Sequence, residues 1–228
     1  MSYPKNKKIL VSRNLKSGSA LRDWATKNEH ALIEVPFIRI DPITNQDIPV
    51  SDWIFFSSPN GVDVYFDHYP ILAKKIAVFG GGTLQRLKLR GMEADFIGDN
   101  SKLPQEIGRD FFDTVHPNEV VFFPLSKLSR KSILSAEHEN KCYELPIYNT
   151  SVEATEVPKM DVAILTSPSN IQGYLEHNKV EGVDFIVMGA TSQRFFENLE
   201  TGAKIYVPNA STEQAVVDLL EEMFGQKK

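Results

Sequence analysis

The chain reads as an α/β protein built from two flavodoxin-like, doubly wound parallel sheets. Two observations predict this. Short runs rich in Ile, Val and Phe alternate with helical patterns and show little polar alternation. Strands of that kind are buried on both faces, as in a parallel sheet whose connections are helices. The sequence also repeats itself at an offset of 109 residues. Asp52-Trp-Ile-Phe-Phe-Ser-Ser-Pro-Asn-Gly-Val resembles Asp161-Val-Ala-Ile-Leu-Thr-Ser-Pro-Ser-Asn-Ile, and the pairs Gly80/Gly189 and Ala94/Ala203 keep the same spacing. A weaker echo pairs Val35-Pro36 with Leu145-Pro146 at 110. That period exceeds the roughly 20–50 residues of a solenoid repeat, so it points to duplication of a half-chain unit.

The strand candidates are, in order, Lys8 to Ser12, Ala31 to Val35, Trp53 to Ser57, Lys75 to Phe79 and Ala94 to Ile97, then Glu119 to Phe123, Cys142 to Leu145, Val162 to Thr166, Phe185 to Met188 and Lys204 to Val207. Helices are expected between them. The clearest is the last, where Ser211 can cap, Gln214 can complete a capping box, and Ala215, Val216, Leu219, Leu220, Met223 and Phe224 form one apolar stripe. Two chain paths fit this pattern. In one, two sequential domains split near Pro117. In the other, the chain leaves the first domain after two strands, builds the second, and returns. Phe37 to Ile43 and Ile147 to Glu153, extended in character and free of glycine, are then the crossings and can pair as a ladder.

Composition narrows the function. With 228 residues, 42% of them hydrophobic, and a net charge of −5, a globular protein is expected and a broad nucleic-acid surface is not. No apolar run reaches the roughly 18 residues a membrane span needs. The polar start, Met1 to Lys8, lacks an apolar run behind it, and Cys142 is the single cysteine, so a reducing, cytoplasmic setting is expected. The histidines at 30, 68, 116, 138 and 177 have no ligand spacing, so no metal site is expected. Gly80-Gly81-Gly82-Thr83 misses the dinucleotide fingerprint, because Gln85 stands where a glycine belongs.

Four strand-to-helix turns carry small or hydroxyl residues: Ser57-Ser58-Pro59-Asn60, Gly80 to Thr83, Thr166-Ser167-Pro168-Ser169 and Gly189-Ala190-Thr191-Ser192. Each alone is an ordinary cap or tight turn. In a doubly wound sheet such turns share the edge at the C-terminal strand ends, and together they suit an anionic ligand. Arg13 ends the first strand; Lys127, Arg130 and Lys131 follow the strand ending at Phe123. Cations at a helix start oppose its macrodipole, and a bound anion explains them. Tyr148, on the second crossing, can look into a cleft and donate a proton or hydrogen bond to a leaving hydroxyl.

These residues resemble the uroporphyrinogen-III synthase family. The likeness rests on the hydroxyl-Ser-Pro turns at Ser57 to Asn60 and Thr166 to Asn170, the turns at Gly80 and Gly189, and Leu145-Pro-Ile-Tyr-Asn-Thr. It rests also on a first strand ending in Ser12-Arg13, and on Phe123-Pro124 followed by a basic segment and Ile133-Leu134. The resemblance implies the discontinuous path: residues 1–36 with 154–228 as one domain, 44–146 as the other, and 37–43 and 147–153 as crossings in a two-stranded β-ladder. It implies hydroxymethylbilane as substrate, closure with inversion of the last pyrrole ring and loss of water, and no cofactor; a monomer is expected. It carries catalytic Tyr148 over as donor to the leaving hydroxyl. Ser58, Thr83, Ser167, Ser169, Thr191 and Ser192, with Arg13, Lys127, Arg130 and Lys131, become binders of substrate carboxylates. Two other readings share parts of this pattern: a two-domain clamp for a small anion without chemistry, and a nucleotide-using transferase, against which Gln85 counts.

Overall fold

The computed structural model describes residues 6–129, 131–134, 138 and 140–225. The chain divides into two compact units, Met1–Arg39 with Ser151–Lys228, and Ile40–Thr150. β1 (Lys8–Val11), α1 (Ala20–Lys27) and β2 (Ala31–Glu34) open the first unit, and β3 (Ile38–Pro42) leads out of it. The second unit follows with β4 (Ser51–Phe56), α2 (Pro59–His68), β5 (Ala73–Val78), α3 (Gly81–Leu89), β6 (Phe96–Ile97), α4 (Pro104–Phe112) and β7 (Val121–Ser126). β8 (Cys142–Val152) runs back, and β9 (Val162–Leu165), α5 (Pro168–His177), β10 (Asp184–Val187), α6 (Ala190–Glu197), β11 (Ile205–Tyr206) and α7 (Glu213–Gly225) complete the first unit.

The first unit's sheet has the order β11-β10-β9-β1-β2, and the second's the order β3-β8-β7-β4-β5-β6. Within the first sheet β1 pairs in parallel with β2 and β9, and β10 with β9 and β11. In the second, β4 pairs in parallel with β5 and β7, β5 with β6, and β7 with β8. The two sheets are one arrangement entered at different points. The register sets Trp53 beside Val121 where Val162 stands beside Ile9. On that superposition β4, β5 and β6 match β9, β10 and β11, while β7 and β8 match β1 and β2. The repeat at 109 covers β4 to β6 against β9 to β11, and the weaker echo at 110 sets Val35-Pro36, just past β2, against Leu145-Pro146 of β8.

Alternate strand residues feed opposite faces of each sheet, as double winding requires. Ile9 and Val11 pack with Trp24, Val216 and Leu220 from α1 and α7, whereas Leu10 packs with Ile171, Tyr174 and Phe196 from α5 and α6. Trp53 and Phe55 join Ile107 and Phe111 of α4; Ile54 and Phe56 join Val62, Tyr65 and Leu87 of α2 and α3. Burying a Phe or Ile side chain is worth about 1.5–3 kcal/mol, and these sites are 0–6% exposed, so two-faced burial outweighs any single polar contact in holding the sheets. That physics is what the unalternated sequence pattern reported.

Two details differ from the sequence reading. The expected strand at Cys142 and the extended stretch from Ile147 form one continuous strand, β8, whose pairing with β7 shifts register between Leu125 and Ser126. The cap of α7 is Thr212 rather than Ser211: the helix starts at Glu213, and the Ala215 N–H donates to Thr212 Oγ1 at 3.2 Å. A capping side chain must sit immediately before the first helical residue. Ser211 Oγ instead lies 3.3 Å from where a Cβ on Gly189 would stand.

Candidate functional site

In the second unit β4 ends at Phe56 and the chain turns into α2 through Ser57 and Ser58. Pro59 opens the helix, where its missing N–H costs nothing. Ser58 is the N-cap, and its Oγ accepts the Gly61 N–H at 3.0 Å. The same oxygen lies 2.8 Å from the Tyr148 hydroxyl. Tyr148 is 4% exposed and packs in the core beside Ile54, Phe56 and Val62. Its ring is buried while its hydroxyl reaches the start of α2. The register shift explains this: Pro146 opposes Leu125 and Tyr148 opposes Ser126, so Ile147 is an extra residue. Such a bulge re-aims the next side chain, and both Ile147 and Tyr148 are buried. The Lys127 N–H holds the Tyr148 carbonyl at 2.9 Å. Burial pushes the phenol pKa above its ordinary value, and the Ser58 hydrogen bond pulls the other way. At neutral pH Tyr148 is therefore protonated and has a proton to donate.

The turn from β5 into α3 is capped by Gly80, and Thr83 in the first turn is 4% exposed. A Cβ on Gly80 would fall 1.8 Å from Asn100 Oδ1, so this glycine makes room for the Asn100 side chain. After β7, Lys127 is exposed. Lys131 is not an unmatched cation, since its Nζ pairs with Glu144 Oε2 at 2.6 Å. Arg130 lies outside the described residues. Cys142 is half-buried and its thiol is pushed up to about 11, chiefly by burial and then by Glu144, which suits packing rather than nucleophilic chemistry.

The first unit carries the matching turns. Ser167 caps α5, and its Oγ accepts both the Asn170 N–H at 3.3 Å and the Asn170 Nδ2–H at 3.0 Å. Asn170 is 3% exposed. Its Nδ2 also lies 3.2 Å from Thr166 Oγ1, and its Oδ1 accepts the Phe37 N–H at 3.1 Å. Thr166 continues to buried Ser12 through an Oγ–Oγ contact of 3.1 Å and its own N–H at 2.9 Å. Ser169 is half-buried in the first turn. At α6 the cap is Gly189, whose φ of +81° disfavours any side chain; Thr191 is exposed and Ser192 is 3% exposed. Arg13 has its anion within the protein: Nη2 pairs with Glu213 Oε1 at 3.0 Å, and Ser19 Oγ donates to Glu213 Oε2 at 2.6 Å.

Each unit thus gathers its predicted hydroxyls at the C-terminal ends of its own strands. Sequence reasoning missed Asn170, Asn100 and Glu213. Asn170 had a signal, because the 109-residue offset sets it against Gly61 as a polar departure from the repeat. Among the described residues no cluster of His, Cys, Asp and Glu could hold a metal ion, and no helix is long and apolar enough to cross a membrane.

Two doubly wound parallel sheets flanked by helices define a two-unit α/β class of protein. The sequence model of uroporphyrinogen-III synthase HemD matches residues 20–227, and the chain belongs to that family, whose members are enzymes of tetrapyrrole biosynthesis. A curated relative, the porphyrin biosynthesis protein HemD of Ruminiclostridium josui, is 26% identical over 96% of this chain and 49% of its own length. The chain thus spans about half the length of that relative. In fold it is similar to the uroporphyrinogen-III synthetase of Helicobacter pylori 26695, with TM-score 0.64 and 14% identity over 95% of this chain and 99% of that one. A mutant uroporphyrinogen III synthase of the extremely thermophilic bacterium Thermus thermophilus gives TM-score 0.56 and 15% identity over 97% and 100%.

Proposed function

We propose that the protein is a uroporphyrinogen-III synthase, a hydro-lyase that closes hydroxymethylbilane with inversion of its last pyrrole ring. The family match over residues 20–227 carries this reading. In the reaction the carbon–oxygen bond of the hydroxymethyl group breaks and hydroxide takes up a proton to leave as water. The resulting azafulvene is attacked by the substituted carbon of the last pyrrole, and the spiro intermediate breaks and recloses with that ring inverted. Unassisted closure gives the uninverted isomer, so catalysis is mainly positioning.

In this reading Tyr148 supplies the hydrogen bond or proton to the leaving hydroxyl together with Ser58, with which it shares a 2.8 Å contact. Thr83, Ser167, Ser169, Thr191 and Ser192, with the N–H groups of their helix starts, take substrate carboxylates, and Lys127 adds charge. Arg13 and Lys131 bind substrate only by sharing or leaving Glu213 and Glu144. The protein works as a cytoplasmic monomer on the free tetrapyrrole, without a cofactor. The test is to incubate it with freshly made hydroxymethylbilane, oxidise the products and separate the porphyrin isomers. A dominant type III isomer is expected. Type I alone, from a folded sample, defeats the proposal.

A further inference from the structure

We infer that Asn170 is a positioning residue that turns the Ser167 hydroxyl proton outward for a substrate carboxylate; this rests on the synthase reading above. The argument is a count of protons and lone pairs. A serine oxygen has two lone pairs and one proton. Among the described residues, Ser167 Oγ makes two hydrogen bonds, and it is the acceptor in both: from the Asn170 backbone N–H and from the Asn170 side-chain amide. Both lone pairs are taken from inside the protein, so the proton is left to point away. The amide cannot reverse its role. Its Oδ1 is engaged by the Phe37 N–H, which places the NH2 end toward Ser167 and Thr166. At 3% exposure the side chain has no water competing for it.

The second unit solves the same problem differently. At the position matching Asn170 it has Gly61, and the inward contact on the capping serine comes from the Tyr148 hydroxyl on β8. A phenol can act as either donor or acceptor toward Ser58, whereas an amide NH2 can only donate. Ser167 is thus a fixed donor, suited to holding a carboxylate, and Ser58 belongs to a pair whose proton order can change.

Asn170→Asp separates this role from plain packing. Aspartate keeps the acceptor for the Phe37 N–H and places a carboxylate in the first turn of α5, where it is favoured. It cannot donate, so the Ser167 proton turns inward. The expected result is a KM for hydroxymethylbilane raised at least about tenfold, the size of one lost hydrogen bond to a charged group, with kcat close to that of the unmodified protein. Ser167→Ala should raise KM similarly, and adding it to Asn170→Asp should change little more, because both remove the same hydrogen bond. If Asn170→Asp fails to fold, Asn170→Gly, the residue at the matching site of the second unit, carries the same cycle with Ser167→Ala. Unchanged KM in the Asp variant, or full additivity with Ser167→Ala, overturns the inference. A protein that forms type III isomer with either result leaves the functional reading standing. One that forms only type I defeats that reading, and this role for Asn170 falls with it.

Discussion

Tyr148 shows how a residue's chemistry depends on its surroundings. Burial raises its pKa, which makes complete proton transfer harder and leaves a hydrogen bond as its main contribution. Tyr148→Phe removes the hydroxyl and keeps the ring packing. It should slow closure by about tenfold or more, within the range for a lost donor acting on the reacting group, while KM shifts less than about threefold. Single-turnover closure of hydroxymethylbilane measures this, and wild-type turnover by the variant would remove Tyr148 from the chemistry. The residue scale was also where sequence reasoning was weakest. Tyr148 was visible as a tyrosine on an extended segment, but its direction depends on an extra residue in β8 that no local pattern announces. Arg13 and Lys131 looked like cations awaiting a ligand because Glu213 and Glu144 are remote from them or hidden in a strand of mixed polarity.

At the scale of elements the sequence was far more legible. Every strand expected from unalternated apolar runs coincides with a strand, because two-faced burial leaves a mark on each residue of the run. Ends were less visible, since a cap is one hydroxyl among several. The α7 start is an example. Thr212→Ala should lower the stability of the first unit by about 1 kcal/mol, the usual worth of a capping hydroxyl, and Ser211→Ala by clearly less. Urea titrations of the two variants decide between the caps, and equal losses would put the assignment to Thr212 in error. Another signal lay in the 109-residue repeat, which marked β4 to β6 against β9 to β11, with a fainter echo at 110 for the end of β2 against β8.

For the whole molecule, acid should act on the two units in turn. His30, 8% exposed against Trp24 and Phe224, has its pKa lowered by burial and then by Lys7, while Asp161 opposes the shift. It stays neutral in the folded unit while the unfolded chain takes up a proton below 6.5. Stability of the first unit is therefore full above that pH and falls as pH drops below it. Glu119, bound by Lys75, Trp53 and the His116 N–H, is lowered to about 2 from 4.5, so its contribution to the second unit is present above 4.5 and is lost as pH falls toward about 2. Trp24 and Trp53, the two tryptophans, sit one in each unit. Denaturant melts of single-tryptophan variants at pH 7.5 and 5.5 should show weakening reported by Trp24 and not by Trp53. Parallel weakening in both would refute the assignment to His30.

The circular relation between the sheets also has a consequence for synthesis on the ribosome. β1 and β2 precede the second unit, yet β1, beside the middle strand of the first sheet, lacks its neighbour β9 until residues 35–161 have been made. At about 5–20 residues per second the wait for that segment is on the order of 6–25 s. Throughout it Leu10 lacks the α5 and α6 side chains that cover it in the folded unit, and Ile9 and Val11 have α1 but not α7. The second unit, contiguous in the chain, can close meanwhile. The second unit can thus close before the first is complete, and β1 and β2 wait longest for the rest of their sheet.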